Sequence, residues 1–145
     1  MSSYNIFLPS YSIGTDCYNE IPYVTRNYGK KAVVIGGKTA IEKSKNELLN
    51  AISNSDMEIL DFIWFGGDSS YENVEMLKNN PLIKEADMLF AVGGGRACDT
   101  VKTLADMIDK PFFTFPTLAS NCASCTAITV IYNSDGTFKE YYYMK

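Results

Sequence analysis

The chain is 145 residues long, 46% hydrophobic and 21% charged, with 13 Lys and Arg against 17 Asp and Glu for a net charge of −4. A chain of this length buries roughly two-thirds of the surface it exposes unfolded, so one domain with a real core is within reach, and disordered or collagen-like classes are excluded. Histidine is absent, which removes Ser-His-Asp triads, Cys-His nucleophiles, His-ligated zinc and HExxH sites and leaves chemistry to Asp, Glu, Lys, Tyr, Cys, backbone amides or a bound cofactor.

The acidic balance argues against a nucleic-acid partner, which would want a basic face to displace counterions. No run is apolar for long enough to span a membrane, and the opening MSSYNIFLPS lacks the layout of a secretory signal. A cytoplasmic protein with no membrane contact is expected. Cys17, Cys98, Cys122 and Cys125 are few and unevenly spaced, so reduced thiols are expected. Cys122-Ala-Ser-Cys125 has the C-x-x-C form, but with no second pair and no His to complete four ligands a zinc site is not expected. Two small residues in a tight turn is the simpler reading.

In chain order, Ala32-Val33-Val34-Ile35 is a β-branched run ended by Gly36-Gly37, which predicts a buried strand and a turn. From Thr39 to about Ser53, Ile41, Leu48, Leu49 and Ile52 fall near helical spacing amid Lys and Glu, predicting an amphipathic helix. Met57 to Phe65 is a strand closed by Gly66-Gly67-Asp68, and Tyr71 to Lys78 is a short helix ending before Pro81. Met88 to Val92 is a further strand broken by Gly93-Gly94-Gly95, followed by a helix over Cys98 to Ile108 and a strand over Phe112 to Phe115. Such alternation predicts an α/β fold: a Rossmann-like parallel sheet with helices on both faces, which binds ligands beyond the carboxyl ends of its strands. Thr126 to Tyr132 and Phe138 to Tyr143 then flank Asn133-Ser-Asp-Gly136, predicting a C-terminal β-hairpin.

Three strand ends carry candidate chemistry. Gly93-Gly94-Gly95-Arg96-Ala-Cys-Asp99 runs from strand to helix, so backbone N–H groups can approach an anion closely, and a dinucleotide pyrophosphate is the natural guest. Taken alone, the pattern equally suits a tight connection with no ligand, with Asp99 favoured by the helix dipole. Pro116-Thr117-Leu118-Ala119-Ser120 puts hydroxyls and free amides beside that crevice, or else makes an ordinary turn. Gly37-Lys38 offers no carboxylate to an adenosine ribose, and its basic residue would suit a 2′-phosphate; the alternative is a solvated lysine near a helix start.

Together these segments resemble the N-terminal half of the iron-containing alcohol dehydrogenase superfamily, and most closely its glycerol dehydrogenase branch. The resemblance runs through an early strand and helix, Val33-Val-Ile-Gly-Gly-Lys38, Phe65-Gly-Gly-Asp68, Val92 to Lys102, Phe115 to Ser120 and Ala127-Ile-Thr-Val-Ile-Tyr132-Asn. It implies that Gly93, Gly94, Gly95, Arg96 and Asp99 belong to the pyrophosphate loop and that Thr117, Leu118 and Ser120 give a second cofactor contact, with Gly37 and Lys38 at the ribose. It further implies that Thr126, Ile128 and Tyr132 line the nicotinamide end.

Two departures stand out: the family's ribose-binding Asp corresponds to Gly37, leaving NAD or NADP open, and its polyol-contacting Asp corresponds to Cys122. A Cys there resembles relatives that reduce 2-oxo acids. The resemblance implies NAD(P)-dependent oxidation of a secondary alcohol, polyol to ketone, or reduction of a 2-oxo acid, with the cofactor carrying the hydride and a zinc or iron stabilising the alkoxide. The metal ligands, an Asp and two His, have no counterparts in residues 1–145, and no catalytic residue is assigned here. The expectation is therefore an N-terminal dinucleotide-binding domain over 1–145 without the C-terminal helical metal-binding domain, inactive by itself and homo-oligomeric when complete. A non-catalytic nucleotide-binding fragment is the rival from another class, and dehydroquinate synthase and glycerol-1-phosphate dehydrogenase relatives share the nucleotide half.

Overall fold

In the computed structural model, which describes residues 9–145, the β-branched run after Lys30 becomes strand β1 (Lys31–Gly36). It is joined by β2 (Glu58–Trp64), β3 (Met88–Gly93) and β4 (Phe112–Pro116) in a sheet of order β2-β1-β3-β4, every neighbouring pair parallel. Because successive side chains on a strand point to opposite faces, the two central strands feed two separate cores. Val33, Ile35, Leu89 and Ala91 enter one, and Ala32, Val34, Met88, Phe90 and Val92 the other.

Helices cover both faces, as the alternation of elements predicts. Helices α1 (Ile21–Thr25) and α2 (Lys38–Ile52) close one core through Ile21, Leu48 and Ile52. Helices α3 (Tyr71–Lys78), α4 (Pro81–Glu85) and α5 (Gly95–Met107) close the other through Val74, Leu77, Ile83, Val101 and Leu104. Each of these side chains contributes about 1.5–3 kcal/mol by leaving water.

Strands β5 (Ile128–Tyr132) and β6 (Phe138–Tyr143) form the predicted antiparallel hairpin, turning through Gly136 at φ +82°. The hairpin is fastened to α5. The buried hydroxyls of Thr103 and Thr129 lie 2.8 Å apart, and the Tyr142 phenol donates to Asp106 at 2.6 Å.

Beyond boundary shifts of a single residue, the structure departs from the sequence expectation in several places. Helix α5 begins at Gly95, three residues before the predicted Cys98, because a glycine can open a helix that its low propensity disfavours in mid-element. Pro81 starts α4, where the sequence pattern predicts only the end of α3; Asn80 caps this helix and proline suits its first position. Strand β5 starts at Ile128, not Thr126. The early helix of the resemblance is α1, preceded by a 3-10 turn at Cys17–Glu20. The early strand has no counterpart over residues 9–30, and residues 1–8 lie outside those described. Among the described residues no helix is long and apolar enough to cross a membrane.

Candidate functional site

The chain leaves β1 toward β2 on one side and β3 toward β4 on the other, so the sheet's switch point falls between the ends of β1 and β3. Two helices start there, and both are headed by glycine. Gly37 caps α2 and Gly94 caps α5 in extended conformation, neither with a side-chain hydrogen bond. The first intrahelical bonds are Ile41 N–H to the Gly37 carbonyl at 2.9 Å and Cys98 N–H to the Gly94 carbonyl at 3.1 Å.

The contrast with the remote helices is informative. Helix α3 is capped by Ser70, whose hydroxyl accepts from Asn73 N–H at 3.2 Å, and α4 by Asn80, whose side chain accepts from Leu82 N–H at 2.9 Å. At the switch point the first-turn amides of two helices are left without such partners, and both helices turn their positive ends the same way.

Between them lies an open cleft of about 870 Å³, lined by Gly37 and Lys38, by Gly93, Gly94, Gly95 and Arg96, and by Thr117 and Leu118 beyond β4. Thr117 N–H donates to the Gly93 carbonyl at 3.0 Å, which holds the third strand end beside the second. Gly93 has φ +145°, and a β-carbon there would stand 3.1 Å from that of Ala97. At Gly94 a β-carbon would stand 3.3 Å from Leu118 Cδ1, on the cleft wall. The Lys38 ammonium lies 4.5 Å from the Trp64 ring centroid, with Trp64 and Lys43 also on the wall. Tyr18 also lines the cleft, its phenol pKa raised first by burial and then by Glu47.

A second cleft, of about 410 Å³, opens on the other side of the start of α5 and shares Gly95 and Arg96 with the first. Asp99, Cys122, Thr126, Ile128 and Tyr132 line it. The Arg96 guanidinium lies 5.0 Å from the Tyr132 ring centroid and 3.5 Å from Asp68 Oδ2. Asp99 is nearly buried: Oδ2 accepts from Val130 N–H at 3.0 Å, and Oδ1 is 3.1 Å from Lys102 Nζ. Lys102, fully buried, donates in turn to the carbonyls of Thr126 at 3.0 Å and Ile128 at 2.8 Å. Strand β5 is thus fixed to α5 by hydrogen bonds from a buried ion pair that lies within the helix.

Of the residues assigned from the sequence to cofactor or substrate, Ser120 alone lies outside both clefts; it is exposed, and its hydroxyl accepts from Asn121 Nδ2 at 3.4 Å. Trp64 and Asn121 line the clefts and Lys102 supports the second, without a role that sequence reasoning assigns them. Trp64 had a signal, since it precedes the Gly66-Gly67 turn at the end of a predicted strand. Asn121 had none, because only the fold brings its amide to within 2.6 Å of where a β-carbon on Gly95 would stand. Burial pushes the Cys98 thiol up to about 11 against the opposing pull of Lys102, so it is an inert core residue.

Glycine turns, unpartnered helix amides and basic side chains fit a dinucleotide bearing a pyrophosphate. A metal is not fitted in the same way. Among the described residues no group of three His, Cys, Asp or Glu is placed to hold one.

Comparison with known proteins agrees with this geometry. The family model described as iron-containing alcohol dehydrogenase matches residues 9–144. The glycerol dehydrogenase of Thermotoga maritima is 40% identical over 80 residues, covering 55% of this chain and 22% of its own length. Hydroxycarboxylate dehydrogenase A of Escherichia coli is 33% identical over 111 residues, covering 77% of this chain and 30% of its own length. The crystal structure of glycerol dehydrogenase from Schizosaccharomyces pombe superposes with a TM-score of 0.76 at 25% identity, covering 88% of this chain and 32% of that one. The chain therefore spans about a third or less of the length of these relatives. With the match extending over all but the first eight residues and the last, the chain belongs to the iron-containing alcohol dehydrogenase family.

Proposed function

We propose that this chain binds a nicotinamide dinucleotide for a dehydrogenase acting on a secondary alcohol of the polyol type. The observation that carries the reading is the pair of glycine-headed helices, α2 and α5, whose N-termini lack a side-chain cap and line one cleft at the sheet's switch point. The amides following Gly37 and Gly94 hold the pyrophosphate. Lys38 and Trp64 take the adenosine end, while Thr126, Ile128 and Tyr132 orient the nicotinamide. The bound dinucleotide supplies hydride transfer; the residues of this chain bind and orient it.

Gly37 offers no carboxylate to a ribose and Lys38 stands beside it, which supports acceptance of a 2′-phosphate and hence of NADPH. Likeness to proteins named glycerol dehydrogenase supports the polyol substrate. A second reading, reduction of a 2-oxo acid, is favoured by Cys122 on the wall of the second cleft and by likeness to a hydroxycarboxylate dehydrogenase. Residues 1–145 serve as the dinucleotide-binding domain, and the metal ligands come from a helical domain outside these residues.

The test uses Trp64, the chain's single tryptophan, as the reporter. Titration with NADH or NADPH should give saturable quenching, with no alcohol-dependent reduction of the oxidised cofactors by this chain alone. Absence of binding by either nucleotide at millimolar levels would defeat the proposal.

A further inference from the structure

Cys122 and Cys125 bracket the 3-10 turn Ala123–Cys125, which is closed by a hydrogen bond from Cys125 N–H to the Cys122 carbonyl at 3.1 Å. A turn closed in this way holds its end α-carbons within about 7 Å, overlapping the roughly 4.4–6.8 Å that a disulfide spans. Cys125 Sγ is already 3.5 Å from the Cys122 carbonyl oxygen. Both residues are exposed, whereas Cys98 is buried and Cys17 lies far along the chain on the turn before α1. The turn is also held from outside. Asn121 Oδ1 accepts from Ala123 N–H at 3.0 Å, and the Thr114 hydroxyl donates to the Ser124 carbonyl at 2.8 Å. An exposed, pre-folded C-x-x-C turn is the geometry in which thiol–disulfide exchange runs to an intramolecular bridge.

We propose that Cys122 and Cys125 are an oxidisable pair that reacts with low-molecular-weight disulfides to form a reversible bridge at the second cleft. One cysteine thiolate attacks a sulfur of the small disulfide, that S–S bond breaks, and one small thiol leaves. The second cysteine thiolate then attacks the protein sulfur of the mixed disulfide and releases the other small thiol. Two protein thiols are oxidised to one disulfide, one small disulfide is reduced to two thiols, and the two cysteine protons end on the released thiols.

The bridge has a consequence for the cleft. Cys122 lines it and Cys125 does not, so bridging draws the Cys122 sulfur off the wall. It also tightens the turn between Asn121, which lies over Gly95, and Thr126, whose carbonyl Lys102 holds. This consequence rests on the proposed cofactor reading; the bridge does not.

The experiment equilibrates the full chain with oxidised glutathione and then with dithiothreitol, maps the cysteine peptides by mass spectrometry, and measures NADH binding in both states. The expected map shows a Cys122–Cys125 disulfide under oxidant, an unmodified Cys98, free thiols after dithiothreitol, and NADH affinity several-fold lower in the bridged state. Cys125→Ser should trap glutathione on Cys122, since no resolving thiol remains. A wild-type map with free thiols, or with separate glutathione adducts on the two residues, overturns the pair. A bridge that leaves NADH binding unchanged overturns its effect on the cleft. Failure of the reduced chain to bind NADH overturns the cofactor reading and that effect with it, while the map still judges the bridge.

Discussion

The ammonium of Lys102 donates to the carbonyl of Ile128 at 2.8 Å although Lys102 exposes none of its surface. A buried ammonium costs several kcal/mol in lost hydration, offset here by the carbonyls of Thr126 and Ile128 and by the Asp99 carboxylate. Lys102→Met should lower the free energy of unfolding by about 3–5 kcal/mol, because it strands Asp99 as an unpaired buried charge. The double variant Lys102→Met, Asp99→Leu should recover part of that loss. Urea denaturation followed by circular dichroism measures both. A loss near 0.5 kcal/mol, typical of an exposed substitution, would show that the pair does not hold the hairpin.

Neighbouring glycines should respond differently to a side chain. Gly94 is extended, at φ −84°, so Gly94→Val should fold normally yet crowd Leu118 and keep a pyrophosphate from the amides of α5. NADH affinity should fall at least tenfold with the melting temperature little changed. At Gly93, φ +145° disfavours any β-carbon, and Gly93→Ala should cost about 1–3 kcal/mol of stability. Thermal melts beside NADH titrations separate the two; a Gly94→Val chain that binds normally would contradict the site.

Removal of the Lys38 charge tests the ribose end. Lys38→Ala should weaken NADPH several-fold more than NADH, and the difference should shrink as salt is raised, because the Lys38 side chain is exposed to screening. Equal effects on the two nucleotides would make Lys38 an ordinary solvated lysine over Trp64.

Stability should decline toward both pH extremes for identifiable reasons. The Tyr142 phenol is pushed up to about 12, first by its hydrogen bond to Asp106 and then by burial. A raised phenol favours the folded state fully below its ordinary value of 10.0, and that contribution is lost as pH rises through about 12. The stability difference between wild type and Tyr142→Phe should therefore be flat at neutral pH and shrink in alkali.

On the acid side, Asp87 is held below its ordinary 3.8 by the N–H groups of Lys31 and Lys30. Its contribution is present above that value and is lost as pH falls through the lowered one. Asp87→Asn should flatten the acid limb of the denaturation profile, and an unchanged limb would assign acid sensitivity elsewhere.

The sheet, helices α2, α3 and α5, and the hairpin were legible because their signals are local. Val33 to Ile35 and Met88 to Val92 are continuous apolar runs closed by glycines, as buried parallel strands require. The glycine turns and Thr117 were legible for the same reason, since they sit at strand ends, whereas Cys122, Thr126, Ile128 and Tyr132 were reached only through the family resemblance. Lys102 was not, because a lysine on an amphipathic helix ordinarily reads as solvent-facing, and only the docking of β5 onto α5 turns it inward. Asn121 and its contact with Gly95 likewise depend on a tertiary approach that no spacing encodes.

The division between polar-capped and glycine-headed helices sets a trade-off that laboratory selection would expose. Ser or Asp at Gly37 or Gly94 would satisfy first-turn amides and add roughly a few tenths of a kcal/mol to each helix. Variants chosen for heat resistance alone should accumulate such residues at those two positions, whereas Ser70 and Asn80 already hold that gain for α3 and α4. Selection that also demands nucleotide retention should keep both glycines. On the proposed reading, the first-turn amides left free at the heads of α2 and α5 are the groups a bound nucleotide would satisfy.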